Sequence, residues 1–139
     1  MTSEEAKSIL TTTTWSPETL EIAMRGRFKC EYCGQDFFDS VNSYYTFQRG
    51  HIVPKGKGRD TPDNLAASCQ TCNFLKRRWD PRTTAGELAT REQLVEVTKL
   101  YISKKRQEKE LLIRRERELA ARLVDSIAPL EMTSSGRSV

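Results

Sequence analysis

The pattern of apolar and polar residues predicts two helices in the first 26 residues. Residues 3–9 form the first pattern, and WSPETLEIAMRG forms the second. In the second helix Ser16 is a good N-cap, Pro17 suits the first helical position and Gly26 suits the C-terminal end. One side of this helix is apolar, so we expect it to pack on the rest of the fold.

The middle of the chain predicts two strands separated by a loop. The segment SVNSYYTFQRGHIV, at 40–53, is rich in β-branched and aromatic residues, which predicts the first strand. The segment PKGKGRDTPDN, at 54–64, contains two Pro and two Gly, which predicts a long basic loop. LAAS, at 65–68, predicts a second strand, and CQTCNFLKRRW predicts a cysteine turn that continues as a helix. The expected order is strand, loop, strand, helix.

The composition then changes, and residues 87–127 predict a long helix. They contain Leu, Val, Glu, Lys and Arg in quantity and lack Gly and Pro. Thr84 and Glu87 have the spacing of a capping box, so we expect the helix to begin there. An apolar stripe passes through Leu94 and Tyr101 and then meets charged residues in the same register, which argues against an extended coiled coil. The charged face that follows is either solvated or lies along a nucleic-acid backbone.

Composition and charge favour one small domain with a polyanionic partner. The chain has 139 residues, of which 37% are hydrophobic and 30% charged, so its core is small. Its net charge is +4, whereas residues 44–82 alone carry eight Lys and Arg against three Asp. This concentration of positive charge favours nucleic acid. No segment is long and apolar enough to span a membrane, and the acidic start MTSEEAKSIL does not resemble a signal peptide, so we expect a cytoplasmic protein.

Two cysteine pairs use every cysteine in the chain. Cys30 and Cys33 form one C-x2-C pair, and Cys69 and Cys72 form the other. Two such pairs provide the four thiolates of a tetrahedral structural zinc site, and reduced thiols are expected in the cytoplasm. The alternatives are four buried thiols or a redox-active pair, although redox chemistry does not explain the second pair. Four thiolates leave no open position on the ion for catalysis.

Three polar residues carry a second constellation. His51 is the only histidine in the chain, Asn64 closes the basic loop, and Asn73 begins the helix after the second strand. Taken singly, they fit a surface histidine, a turn residue and a helix cap. Their order in GHIVPKGKGRDTPDNLAASCQTCN, with CEYCG upstream, resembles the HNH endonuclease family, a branch of the ββα-metal nucleases. The resemblance covers about residues 26–80.

The resemblance implies a role for each of these residues. His51 would be the general base that takes a proton from water, which suits an imidazole near neutral pH. Asn64 would brace the loop and orient His51, and Asn73 would give an oxygen ligand to Mg²⁺ or Mn²⁺. The products would carry 5′-phosphate and 3′-hydroxyl ends. The basic residues expected to contact nucleic acid are Arg49, Lys55, Lys57, Arg59, Lys76, Arg77 and Arg78.

Gly50 departs from the family pattern. Many members have Asp, Glu or His immediately before the general base, and that side chain is the second protein ligand of the catalytic metal. Three outcomes stay open. The ion is held weakly by Asn73, phosphate and water; or another carboxylate (Asp39, Asp60 or Asp63) reaches the site; or activity is low.

We therefore expect an α+β fold: a small zinc-stapled ββα-metal core with N-terminal helices and a long C-terminal helix. The expected parts are N-terminal helices packing on the core at 1–26, the nuclease core with its zinc site at 27–82, a charged helical extension at 83–128 and a disordered tail at 129–139.

The expected function is a metal-dependent DNA endonuclease of weak sequence specificity, which nicks one strand or cuts both. RNA is the alternative substrate, and no membrane partner is expected. The expected cofactors are a structural Zn²⁺ and a catalytic Mg²⁺ or Mn²⁺, and the C-terminal helix is a candidate contact for a homodimer. Two other functions stay open: a non-catalytic zinc module that binds nucleic acid, and an interaction protein that recruits partners through the long helix.

Overall fold

A computed structural model of the protein describes residues 1–127, so the predicted disordered tail lies outside the described residues. Residues 1–105 form one compact unit, and the described residues from 106 to 127 belong to a second. The helices and strands of the described part are α1 (Ser3–Thr13), α2 (Pro17–Arg25), α3 (Val41–Tyr45), β1 (Phe47–His51), β2 (Leu65–Cys69), α4 (Gln70–Lys76), α5 (Arg82–Ala85) and α6 (Arg91–Asp125).

A two-stranded antiparallel sheet and the helix that follows it form the centre of the first unit. Strand β1 pairs with β2 in a register that sets Gly50 opposite Ala66 and His51 opposite Leu65. Every residue of β2 is buried, and α4 follows β2 without a break. The predicted ββα core is therefore confirmed, and the strand pairing brings the end of β1 close to the start of α4.

The hydrophobic core lies against this sheet. Ile22 of α2, Phe37, Ile52 and Ile102 of α6 are buried with the apolar residues of β2 in one cluster. A second, aromatic cluster surrounds Trp15, whose ring meets the neighbouring rings edge-on; those rings belong to Phe28, Phe38, Tyr44 and Phe47. Helix α2 is thus packed onto the sheet through Ile22, and α1 contacts the Trp15 cluster through Leu10.

The prediction of a strand from residue 40 is wrong for its first half, because residues 41–45 form α3. Ser40 is the N-cap of α3, and its hydroxyl accepts a hydrogen bond from the Ser43 backbone N–H at 2.9 Å. Such local side-chain bonds favour a helical turn over a strand despite the β-branched and aromatic composition. Tyr45, the last residue of α3, is consequently 77% exposed.

The long helix begins later than predicted. The helix α5 occupies the expected start and ends at Gly86, whose φ of +96° a glycine adopts readily. A capping box forms at Thr90, six residues after Thr84. There Thr90 and Gln93 exchange side-chain-to-backbone hydrogen bonds of 2.9 and 3.2 Å. The spacing rule was therefore right, but it was applied to the wrong pair. The apolar side of the first turns of α6 does pack on the core, through Leu94 and Tyr101.

In the second unit, the part of α6 from residue 106 is a continuous, charged and exposed helix. Within residues 1–127 no helix is long and apolar enough to cross a membrane.

Candidate active site and cysteine cluster

The four cysteines come together from two parts of the chain. Cys30 and Cys33 lie in the turn after α2, Cys69 ends β2 and Cys72 lies in the first turn of α4. Their four sulfur atoms all lie within 4.8 Å of one another, and the Sγ atoms of Cys33 and Cys69 are 3.8 Å apart. A tetrahedral Zn²⁺ with Zn–S bonds of about 2.3 Å would space its sulfur ligands by about 3.8 Å. The cluster therefore fits a structural zinc ion.

The electrostatics of the cluster also suit a cation. Hydrogen bonds from the Cys33, Cys69 and Cys72 thiols hold the pKa of Cys30 far below its ordinary value. The same contacts with Cys30 raise the pKa values of Cys69 and Cys72 well above theirs. Cys30 opposes ionisation of Cys33, but the bonds from Cys69 and Cys72 outweigh that effect and lower the pKa of Cys33 to about 6. Two thiolates are thus favoured, and ionisation of Cys69 and Cys72 is opposed unless a positive ion lies between the sulfur atoms.

Glu31, between the first two cysteines, fastens the cysteine turn to the sheet and to α6. Its carboxylate accepts a hydrogen bond from the Ala67 backbone N–H at 2.9 Å and another from Arg91 Nη2 at 3.0 Å. Arg91, the first residue of α6, also donates to the Leu65 carbonyl at 3.1 Å. Neither Glu31 nor Arg91 has a signal in the sequence, because nothing in their spacing links residues sixty positions apart.

His51 is the last residue of β1 and lies on the wall of a cleft. Its Nε2 lies 2.6 Å from Asp60 Oδ1, and the side chains of His51 and Asp60 are 26% and 72% exposed. The cleft has a volume of about 150 Å³ and is also lined by Gly50 and by Asn73 of α4. The strand end and the helix start thus bring two of the three predicted polar residues to one small space.

Asn64 braces the basic loop by bonds to its backbone. Its Oδ1 accepts from the Val53 N–H at 2.9 Å, and its Nδ2 donates to the carbonyls of Val53 at 3.0 Å and Arg59 at 2.8 Å. Gly58 leaves room for this amide, because a Cβ there would lie 2.6 Å from Asn64 Nδ2. The amide makes no hydrogen bond to His51 itself, and the Asn64 backbone carbonyl accepts from the Ile52 N–H at 2.9 Å. Asn64 therefore acts on His51 through the backbone on either side of the loop.

Asn73 is held by a residue of β1 that the sequence analysis did not single out. Its Nδ2 donates to Gln48 Oε1 at 2.7 Å, and its Oδ1 lies over Gly50, where an added Cβ would be 2.8 Å away. Gln48 and Gly50 are two residues apart in a strand and so lie on one face of the sheet. Alternation along β1 was the signal that could have revealed Gln48.

Residues 30–78 match the family model of the HNH endonucleases. They form an HNH endonuclease domain. The matched segment contains the four cysteines and the three polar residues of the cleft and its loop. No curated protein and no solved structure matches the chain significantly. The family indicates a nuclease, and hence a nucleic-acid substrate.

Cationic side chains line the cleft of the HNH domain beside His51. They are Arg49, Lys55, Arg77 and Arg78. Arg78 Nη2 donates to the Lys55 carbonyl at 3.2 Å, which ties the basic loop to the end of α4. Arg77 lies over the Phe74 ring at 4.4 Å and has a φ of +49°, a strained value for a residue with a side chain. Arg49 is paired with Glu18 at 2.9 Å. The cleft therefore offers several positive charges to a phosphate.

Three further basic residues were predicted to contact nucleic acid or lie near it. Lys57 and Arg59 are exposed on the loop and lie outside the lining of the cleft. Lys76 is buried, with 1% of its surface exposed, and its Nζ donates to the Trp79 carbonyl at 3.0 Å. Burial lowers the pKa of Lys76 to about 8. The predicted phosphate contact of Lys76 is corrected accordingly: helical spacing of four places it on the buried side of α4 with Cys72.

The oxygen donors at the cleft fit a catalytic metal ion only in part. Asn73 supplies an amide oxygen, Gly50 supplies none, and no carboxylate is among the residues that line the cleft in the described chain. Of the alternative carboxylates, Asp60 contacts His51, whereas Asp63 accepts a hydrogen bond from the Thr61 hydroxyl, which lowers the pKa of Asp63. Mg²⁺ usually binds one or two carboxylates as well as phosphate and water. This donor set suits an ion bound chiefly by water and substrate.

Proposed function

We propose that this HNH domain is a metal-dependent DNA endonuclease that hydrolyses phosphodiester bonds with His51 as the general base. The observation that carries the proposal is the cleft itself, where His51, Asn73 and four cationic side chains face a space large enough for one phosphate. Hydrolysis of a phosphodiester needs a base for the attacking water and positive charge around the developing charge on phosphorus. The cleft offers both.

The residues of the cleft divide this work. Lys55, Arg77 and Arg78 hold the phosphate, and His51 takes a proton from a water in line with the scissile bond. Asn73 would give an oxygen ligand to Mg²⁺ or Mn²⁺, an ion that takes water and substrate phosphate as its other ligands. When bound, the ion neutralises charge on the phosphate and on the leaving oxygen. The products carry 5′-phosphate and 3′-hydroxyl ends.

Contacts to DNA are proposed for Arg49, Lys55, Lys57, Arg59, Arg77 and Arg78. These cations suit phosphates rather than base edges, so we expect weak sequence preference and strong salt dependence. Arg78→Gln is expected to reduce the slope of log Kd against log salt by about one unit. Lys7→Gln, on α1, is the matched control and is expected to leave the slope unchanged. An unchanged slope in both variants would exclude Arg78 from the DNA contact.

Cleavage of supercoiled plasmid tests the activity. The wild type is expected to convert plasmid to nicked circles with Mg²⁺ or Mn²⁺ and not with EDTA. His51→Ala is expected to lower the rate by about 10²–10⁴-fold, the usual contribution of a general base. Zinc content and circular dichroism of the variant show whether the fold is kept. The proposal would be contradicted if the wild type and His51→Ala both bind DNA but neither cleaves it with any of the metal ions.

A second candidate is a zinc-stapled module that binds nucleic acid without cleaving it. The observation that favours it is the absence of carboxylates from the lining of the described cleft, together with Gly50. The plasmid assay separates the two candidates, since a binding module would shift DNA in a gel and leave it intact.

A homodimer through α6 is also proposed, since two active centres could cut both strands. The second unit exposes apolar residues that a partner helix could cover: Leu111, Leu112, Ile113, Leu119, Leu123 and Val124. Sedimentation equilibrium is expected to show a dimer for the wild type and a monomer for the double variant Leu119→Glu with Leu123→Glu. Leu88→Glu, at a residue 98% exposed outside α6, is the control.

A location in the cytoplasm remains part of the proposal, supported by the reduced thiols that the cysteine cluster requires.

A further inference from the structure

We propose that Asp60 is a positioning residue for the general base, because it fixes the tautomer of His51 with the proton on Nε2 and the lone pair on Nδ1. This inference deepens the proposed function and rests on it for its catalytic consequence. Asp60 lies in the basic loop between β1 and β2.

The chemistry of the contact decides the tautomer. Asp60 Oδ1 lies 2.6 Å from His51 Nε2, which is the distance of a short, charge-assisted hydrogen bond. An ionised carboxylate can only accept, so Nε2 must carry the proton. Neutral imidazole has one N–H and one lone pair, and the lone pair is therefore on Nδ1. Nδ1 is the nitrogen that takes the proton from water.

The loop places Asp60 by holding the residues on both sides of it. The carbonyl of Arg59 accepts from Asn64 Nδ2 at 2.8 Å, and the carbonyl of Thr61 accepts from the Asn64 backbone N–H at 2.9 Å. Asn64 thus fixes the backbone immediately before and after Asp60. The role expected for Asn64 in orienting His51 then has a physical route, which runs through the backbone of Asp60 to its carboxylate.

The charges around His51 give this carboxylate a second effect. Arg49, Lys55, Arg77 and Arg78 line the same cleft, so an imidazolium formed during hydrolysis lies among positive charges. During hydrolysis a water O–H bond breaks and its proton passes to Nδ1, while the water oxygen bonds to phosphorus. The bond from phosphorus to the leaving oxygen then breaks, and that oxygen takes a proton from solvent. Asp60 stabilises the imidazolium formed in the first step, as the carboxylate of a catalytic triad does.

Nuclear magnetic resonance tests the tautomer without any activity. His51 is the only histidine, so long-range ¹H–¹⁵N correlations of the zinc-loaded, ¹⁵N-labelled chain report one imidazole. Spectra are recorded at about pH 9, where an ordinary imidazole is neutral. The wild type is expected to show one tautomer, protonated at Nε2, and Asp60→Ala a mixture of both. Asp63→Asn is the matched control, because this neighbouring carboxylate accepts from Thr61 instead, and it is expected to match the wild type.

Kinetics test the consequence for catalysis. Asp60→Asn is expected to lower kcat by about 10–100-fold, as loss of a residue that orients a functional histidine does, and to leave the KM for plasmid unchanged. Because Asp60 acts through His51, adding Asp60→Asn to His51→Ala is expected to cause no further loss.

Three results would overturn the inference. The first is a wild type with the proton of His51 on Nδ1. The second is an Asp60→Ala variant that keeps the single wild-type tautomer. The third is an Asp60→Asn variant that keeps the tautomer but needs a higher Mg²⁺ concentration for cleavage. The last would make Asp60 a ligand of the metal ion instead. If the wild type cleaves no DNA but shows the Nε2 tautomer, the proposed function fails while the positioning of His51 by Asp60 stands.

Discussion

Gly50→Ala is the substitution that best separates a steric role of Gly50 from the loss of a metal ligand. The backbone of Gly50 is ordinary strand, so alanine fits its conformation. The added Cβ would lie 2.8 Å from Asn73 Oδ1, and ordinary contact begins at 3.4 Å, so the oxygen has to withdraw by about 0.6 Å. That movement pulls the Asn73 amide away from Gln48, whose hydrogen bond to it is 2.7 Å long.

The expected effects on stability and on activity differ. Loss of one amide hydrogen bond costs about 1 kcal/mol, while replacing glycine by alanine in a strand returns about 0.5–1 kcal/mol. The free energy of unfolding is therefore expected to change by less than about 1 kcal/mol. A misplacement of 1 Å at a reacting centre costs up to about 10²-fold in rate, so 0.6 Å predicts a fall in kcat of about tenfold.

Plasmid cleavage and urea denaturation of Gly50→Ala measure the two effects. Gly50→Asp introduces the same Cβ and adds a carboxylate, so the ratio of its kcat to that of Gly50→Ala isolates the contribution of the carboxylate ligand. Gln48→Leu removes the hydrogen bond to Asn73 without a Cβ at position 50 and is expected to give a similar loss of activity. Full activity of Gly50→Ala would refute the reasoning, because Asn73 would then not need its position over Gly50.

Three further predictions concern the cysteine cluster and the buried lysine. Cys33→Ser is expected to lower zinc affinity more than about 100-fold, as measured by competition with a chelator, and full zinc retention would contradict the site. Glu31→Gln, which leaves Arg91 without its carboxylate, is expected to lower the free energy of unfolding by about 2 kcal/mol in urea, and an unchanged midpoint would refute that contact. Lys76 has a pKa lowered to about 8 from 10.5, so the folded state binds fewer protons than the unfolded state between these values, and stability rises with pH across that window. Lys76→Met is expected to stabilise the protein by about 2 kcal/mol below pH 8 and to flatten that rise, whereas an unchanged pH dependence would contradict it.

The fold of the HNH domain could be predicted because its signals are local in sequence. Two C-x2-C pairs, a lone histidine at a strand end and a loop rich in Gly and Pro each have a physical meaning at fixed spacing. The helix α3 was missed because a hydrogen bond from the Ser43 N–H to the Ser40 hydroxyl outweighed the strand composition of its neighbours. The start of α6 was predicted too early because both Thr84 and Thr90 have capping-box spacing. Only Thr90 forms the capping box in the structure.

The details of the cleft could not be predicted to the same extent, since they depend on contacts between distant residues. Periodicity gives no direction to a loop side chain, so the approach of Asp60 to His51 had no signal of its own. The burial of Lys76 did have a signal in the sequence. Lys76 lies four residues after Cys72, and a helix places both on one face. The basic cluster around Lys76 suggested a phosphate contact, but burial of that helix face determined its partner.

Gly50 shows how a departure from a family pattern can have a physical reason beyond the loss of a group. If Gly50 were only a lost ligand, the space over it would be open. That space instead holds Asn73 Oδ1, which would be 2.8 Å from any Cβ, and the amide is fixed from its other end by Gln48. Gln48, on the same face of β1 as Gly50, binds Asn73 Nδ2 and thus leaves Asn73 Oδ1 facing Gly50. A carboxylate introduced at position 50 must therefore displace Asn73 Oδ1, the proposed oxygen ligand. The substitution changes two things at once and needs its alanine counterpart.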